Sequence, residues 1–142
     1  MALAGGRGPT TFGSMEVLAK IHKHYGSTLL LLVLLGAILA ATKGPRVAYQ
    51  RVVAVLVDIN VVVGLAALWL TPRPVSWFHL IFALGAVGLL HASAKSDQAR
   101  KVATCWFLAA FLLLAAWSAN AAWGPAFFKQ GWQLIVPSAP SA

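Results

Sequence analysis

Residues 52–70 read VVAVLVDINVVVGLAALWL, an apolar run broken only by Asp58 and Asn60. A bilayer core about 30 Å thick takes about 20 helical residues to cross. The run is close to that length. Backbone polar groups in hydrocarbon must be satisfied within the segment, so the run reads as a membrane-spanning helix. A lipid-facing strand would alternate apolar and polar residues, and this stretch does not.

Three similar runs surround it, at 25–41, 75–91 and 102–123. The first is expected to have a helical lead-in from about Met15. The joints between runs are short and carry helix breakers: Thr42-Lys43-Gly44-Pro45-Arg46, Thr71-Pro72-Arg73-Pro74, the polar stretch from Lys95 to Lys101, and Gly124-Pro125 after the fourth. Short joints make consecutive helices antiparallel neighbours. The expected fold is therefore an all-α membrane protein, a four-transmembrane-helix antiparallel up-down bundle over 15–124. Residues 1–14 lack the apolar core of a signal peptide and read as a flexible N-terminal extension. Residues 125–142 read as an interfacial or flexible tail, with Phe127, Phe128, Trp132 and Leu134 as its apolar side.

Composition agrees. Of the 142 residues 60% are hydrophobic and 10% charged, against roughly 25% charged in ordinary soluble domains. The net charge is +8, with Glu16, Asp58 and Asp97 the only acids. The cations sit between apolar runs, where phospholipid headgroups rather than nucleic acid would meet them. Of the 11 Lys and Arg, six (Lys43, Arg46, Arg51, Lys95, Arg100, Lys101) fall at the first and third joints. The excess of positive charge on the cytoplasmic side then puts both termini outside an inner (plasma) membrane. Trp69, Trp77, Trp117 and Trp123 fall near the outer helix ends, as an interfacial belt would, and Trp106 near the inner end of the fourth. The lone Cys105 excludes an intrachain disulfide and reads as a packing residue.

Ionisable groups within spanning segments are costly and mark functional sites. His22 and His24 stand near the outer start of the first helix, and His79 about one turn into the third. The first and third helices run the same way, so one of the pair meets His79 at similar depth. Two facing histidines on separate helices are an axial set for a haem iron. His22 and His24 lie about 200° apart around a helix. Leu18, His22, Tyr25 and Leu29 form one stripe, which favours His22 as the inward ligand. The competing reading makes these interfacial histidines bonded to water or headgroups. Lys20, Lys23 and Arg73 lie on the same side, as propionate partners or as headgroup contacts. Gly26, Gly64, Gly85 and Gly88 would admit a flat macrocycle or close helix packing. His24 and His91 are weaker metal-ligand candidates, with His91 read as interfacial. Asp58 shares a face with Arg51, which suggests an ion pair or snorkelling toward the basic joint; a proton relay is its functional alternative. Asn60, Ser118 and Asn120 read as interhelical hydrogen-bonding groups. No carboxylate pair, phosphate loop or hydrolytic triad is present, so independent catalysis is not expected.

Three segments carry a family resemblance: Ile21-His22-Lys23-His24-Tyr25-Gly26, Asn60-Val61-Val62-Val63-Gly64 with Leu65-Ala66-Ala67-Leu68, and Trp77-Phe78-His79-Leu80 with Ile81-Phe82-Ala83-Leu84. Over about residues 21–90 the chain resembles half of a haem A synthase. That resemblance implies haem ligation by His22 and His79 near the outer face. The chain departs from the family in having one bundle rather than two, Ala19 where the catalytic half carries an acid, and Asn60 where glutamine is usual. The expected function is an integral membrane b-type haem-binding protein or subunit, for electron transfer or with a structural haem. Its cofactor-binding residues would be His22, His79, Lys23 and Arg73. The alternative is a cofactor-poor accessory subunit of a respiratory or photosynthetic membrane complex, in which a histidine could hold a chlorophyll-type pigment. The partners expected are the lipid bilayer and other membrane subunits. A third reading, a small transporter centred on Asp58, lacks the broken or inverted-repeat helices that would support it.

Overall fold

Four helices account for most of the described residues in the computed structural model, which describes residues 11–70, 75–121, 124–127 and 133–134. They are α1 (Thr11–Lys43), α2 (Val47–Leu70), α3 (Trp77–Ser93) and α4 (Ala99–Asn120). A short antiparallel pair, β1 (Val75–Ser76) with β2 (Gln133–Leu134), sets Val75 opposite Leu134 and Ser76 opposite Gln133. The tail thus returns to the start of α3, which its composition did not suggest. Phe128, Lys129 and Trp132 lie outside the described residues, as do Arg7, Arg73 and Trp123.

The helix limits differ from the apolar runs for local reasons. α1 opens at Thr11, ahead of the start expected near Met15; extending an existing helix adds one hydrogen bond per residue fixed. Gly44, at φ 85°, turns the chain after α1. α2 then starts at Val47, because Tyr49, Gln50 and Arg51 are helical although polar. Ser76 caps α3, its hydroxyl accepting the backbone N–H of Phe78 at 3.3 Å. α4 ends at Asn120, where the Ala121 N–H closes a last turn on the Ser118 carbonyl at 3.2 Å.

α4 packs on α1 and α3, α1 also packs on α2, and α2 touches α3 least. Later residues of α1 meet earlier ones of α2: His22 bonds to Asn60, and Leu32 to Tyr49. α3 and α4 follow the same reversal, with His79 on Ala116 and Ser93 on Trp106. The core is a stripe of Leu29, Val33, Ala37 and Ala40 on α1 against Val102, Ala103, Trp106, Ala109 and Ala110 on α4, with Val53, Ala54 and Val57 of α2 and Ala86 and Leu90 of α3. The many alanines let backbones approach closely. Cys105 packs at the edge of this core.

The outside is as apolar as the inside. Leu31 is 66% exposed, Val62 64% and Phe111 66%. Exposed apolar surface on this scale marks contact with lipid or with another protein. α1 (over Val17–Lys43), α2 and α4 are each long and apolar enough to cross a membrane; α3, with 17 residues, is a shorter apolar helix.

At the end of the bundle remote from His22, the Tyr49 hydroxyl donates to the Leu32 carbonyl at 2.7 Å, tying α2 to α1. Tyr49→Phe should lower stability by about 1 kcal/mol, read from unfolding in mixed micelles. A change within error would mean that the hydroxyl finds an equal partner in the unfolded state.

Candidate functional site

α1 carries His22 and α3 carries His79, and the helices bring the two rings face to edge across the interior. Their centroids are 6.0 Å apart and their planes meet at 74°. Each ring is fixed by its backbone-facing nitrogen. His22 Nδ1 lies 3.0 Å from the Asn60 carbonyl oxygen on α2, and His79 Nδ1 lies 2.8 Å from that of Ala116 on α4. A carbonyl only accepts, so Nδ1 carries the proton in both rings. In the neutral imidazole, Nε2 then keeps its lone pair. Anchoring one imidazole nitrogen to free and orient the other is how proteins prepare histidine as a metal ligand.

His22 owes its position to Gly64. A methyl group on Gly64 would sit 2.5 Å from His22 Cε1 and 2.9 Å from Nδ1. Of the two readings of Gly64, room for a macrocycle or close helix packing, the contact matches the second: it seats the imidazole of α1 against α2. Gly26 does a similar service for Asn60, whose Nδ2 would lie 3.2 Å from a methyl there. The Asn60 side-chain oxygen is buried with no hydrogen-bond partner among the described residues.

Both histidines line a cavity of about 540 Å³ walled by all four helices. Its wall is mostly apolar, and Ala19, Gly26, Gly64 and Ala83 keep it open. Lys23 reaches it, and Asn120 closes one end while its side-chain oxygen accepts the Ser76 N–H at 3.0 Å.

A metal held between the two rings would fix their separation. An imidazole–metal bond is about 2 Å long, and a ring nitrogen lies about 1 Å from its ring centre. Two such bonds in line put about 6 Å between centroids; the rings stand 6.0 Å apart, with the Nδ1–Cε1–Nε2 edge of His22 against Gly64. Among the described residues no three His, Cys, Asp or Glu cluster to hold a bare ion. A haem iron needs only two protein ligands, because the macrocycle supplies the rest. Two imidazoles at this separation are a donor set that a haem iron could take.

The other candidates fall elsewhere. His24 is exposed and does not line the cavity, as the stripe on the first helix implied. Arg73 lies outside the described residues. Asp58 is not paired with Arg51. Its Oδ2 meets His91 Nε2 at 2.8 Å, joining α2 to α3. The two groups stand on different helices, so the pattern of either helix alone does not show the contact. Asn120 bridges to Ser76 as an interhelical group should, but Ser118 turns back on Ala115 of its own helix at 2.8 Å. The carbonyls of Asn60 and Ala116 were not foreseeable, since every residue has one. The chain matches no protein-family model, no characterised protein and no solved structure in the comparisons made.

Proposed function

We propose that the chain is a four-span membrane protein that binds one b-type haem between His22 and His79, as an electron carrier or with a structural haem. In this reading the helices cross the bilayer up, down, up and down, with both termini outside. The observation that carries the proposal is the histidine pair: two rings at metal-bridging separation, each with Nδ1–H bonded to a carbonyl and Nε2 left as the donor. The apolar exterior and three long apolar helices support the membrane setting.

A bound haem would supply one-electron chemistry. The chain's own part is to hold the two imidazoles against Asn60 and Ala116, and to exclude water with the apolar wall. Lys23, which lines the cavity, would meet a propionate. The departures from haem A synthase at Ala19 and Asn60 argue against modification of the macrocycle and for a carrier or structural role.

The test is a visible spectrum of the purified full chain, oxidised and reduced, after supply of haem. A sharp Soret band that shifts on reduction is expected. His79→Ala should abolish it and His24→Ala should leave it intact. No band in the wild type, or a band that survives His79→Ala, would overturn the assignment and favour the cofactor-poor accessory subunit.

A further inference from the structure

The side of the bundle between α2 and α3 is its least packed. Helical spacing shows which residues edge it. Asp58 and Leu65 share one edge of α2, and Leu80, Leu84, Val87 and His91 recur along one edge of α3. Asp58 meets His91 at 2.8 Å, so these two edges face each other. Counted along antiparallel helices from that contact, Leu65 stands level with Leu84. The two are nonetheless 46% and 51% exposed, so the edges do not close on one another there. Leu65 and Leu80 also line the cavity that holds His22 and His79. The cavity therefore reaches the flank of the bundle between α2 and α3, beside the Asp58–His91 contact.

We infer that this seam is a portal through which a flat, apolar ligand passes between the bilayer and the cavity, with Asp58 and His91 as its clasp. The inference rests on the membrane setting and the haem reading above. The facing stretches 61–68 and 80–87 carry no charged or polar side chain, so a molecule dissolved in hydrocarbon crosses them without a desolvation cost. Other routes suit it less. Trp106 fills the bundle at the far end, and Asn120 bridges to Ser76 at the near one. Lys23 and Ser27 are exposed where α1 lines the cavity, an opening that fits the charged propionates rather than the body of the macrocycle. The clasp is built to part. Asp58 and His91 are 37% and 51% exposed, so their contact can break and re-form without unpacking the core, as the gating elements of ligand sites do.

The test uses the full chain in phosphatidylcholine vesicles, with Cys105→Ala so that only introduced thiols react. Val62 and Leu84 are exposed on the two sides of the seam and do not line the cavity; Val62→Cys and Leu84→Cys are joined by a short, reducible bifunctional thiol reagent. Cross-linking before haem is supplied should slow growth of the Soret band at least tenfold, and reduction should restore it. Cross-linking after loading should leave the band unchanged and slow loss of haem to an added scavenger protein to the same degree. Loading at an equal rate in the cross-linked chain would overturn the portal. Asp58→Asn should speed loading and release severalfold and widen the distance between nitroxides placed on the same two cysteines. An unchanged rate or distance there would overturn the clasp. If the wild type takes up no haem, the haem reading fails by itself, and the nitroxide distances, which need no ligand, decide whether the seam opens. Extraction by alkaline carbonate without detergent would instead remove the membrane premise.

Discussion

Gly64→Leu should empty the proposed haem site while leaving every candidate ligand in the chain. The Cβ of any residue larger than glycine at this point lies 2.5 Å from His22 Cε1 and 3.0 Å from Nε2. An alanine could be met by a small shift of the ring, at the cost of lengthening its 3.0 Å bond to the Asn60 carbonyl. A leucine leaves no such escape: the ring must swing away from its seat, and Nε2 with it. Haem retention, read as Soret absorbance per chain, is expected to drop by at least tenfold for Gly64→Leu and severalfold for Gly64→Ala. The control is Gly88→Ala, where a methyl meets nothing within 4 Å, and which should retain full haem. Full retention in Gly64→Leu would mean that His22 is not a ligand in the position described.

Much of this arrangement could be read from the chain because long apolar runs leave few options besides helices. The apolar runs required helices, and the short joints required neighbours to reverse. The stripe Leu18, His22, Tyr25, Leu29 separated His22 from His24, since side chains 200° apart about a helix axis cannot share a face. What could not be read is whatever depends on a second helix. Gly64 looked like room for a ligand or for close helix packing, and only the position of α1 shows that an imidazole fills that room. The face that Asp58 shares with Arg51 suggests an ion pair or snorkelling; its contact with His91 at 2.8 Å depends on where α3 packs. The β1–β2 pair is a further case. Backbone bonds between Val75–Ser76 and Gln133–Leu134 require no side-chain pattern, so composition gave the tail no partner.

The two ends of the bundle are built by opposite means. Around His22 and His79 the helices stand apart and enclose a cavity with polar atoms at its wall. At the other end one side chain fills the space, and its loss should be the most damaging single change to stability. Trp106 of α4 is fully buried. Its ring lies against Gly36 of α1, where any Cβ would collide with it, and 5.9 Å from the Tyr49 ring of α2. Its Nε1–H donates to Ser93 Oγ of α3 at 3.1 Å, and that hydroxyl in turn donates to the Leu89 and Leu90 carbonyls at 3.0 and 3.1 Å. One residue thus touches the other three helices at one level. Trp106→Ala removes that contact and opens a cavity that rigid helices collapse into only partly; a loss of about 3–5 kcal/mol is expected. Trp106→Phe keeps much of the ring and loses the donor, which should cost about 1–2 kcal/mol. Unfolding in mixed micelles, followed by circular dichroism, measures both. If Trp106→Ala costs less than Trp106→Phe, the level is held by the alanine-rich backbone contacts between α1 and α4, and the indole only fills it.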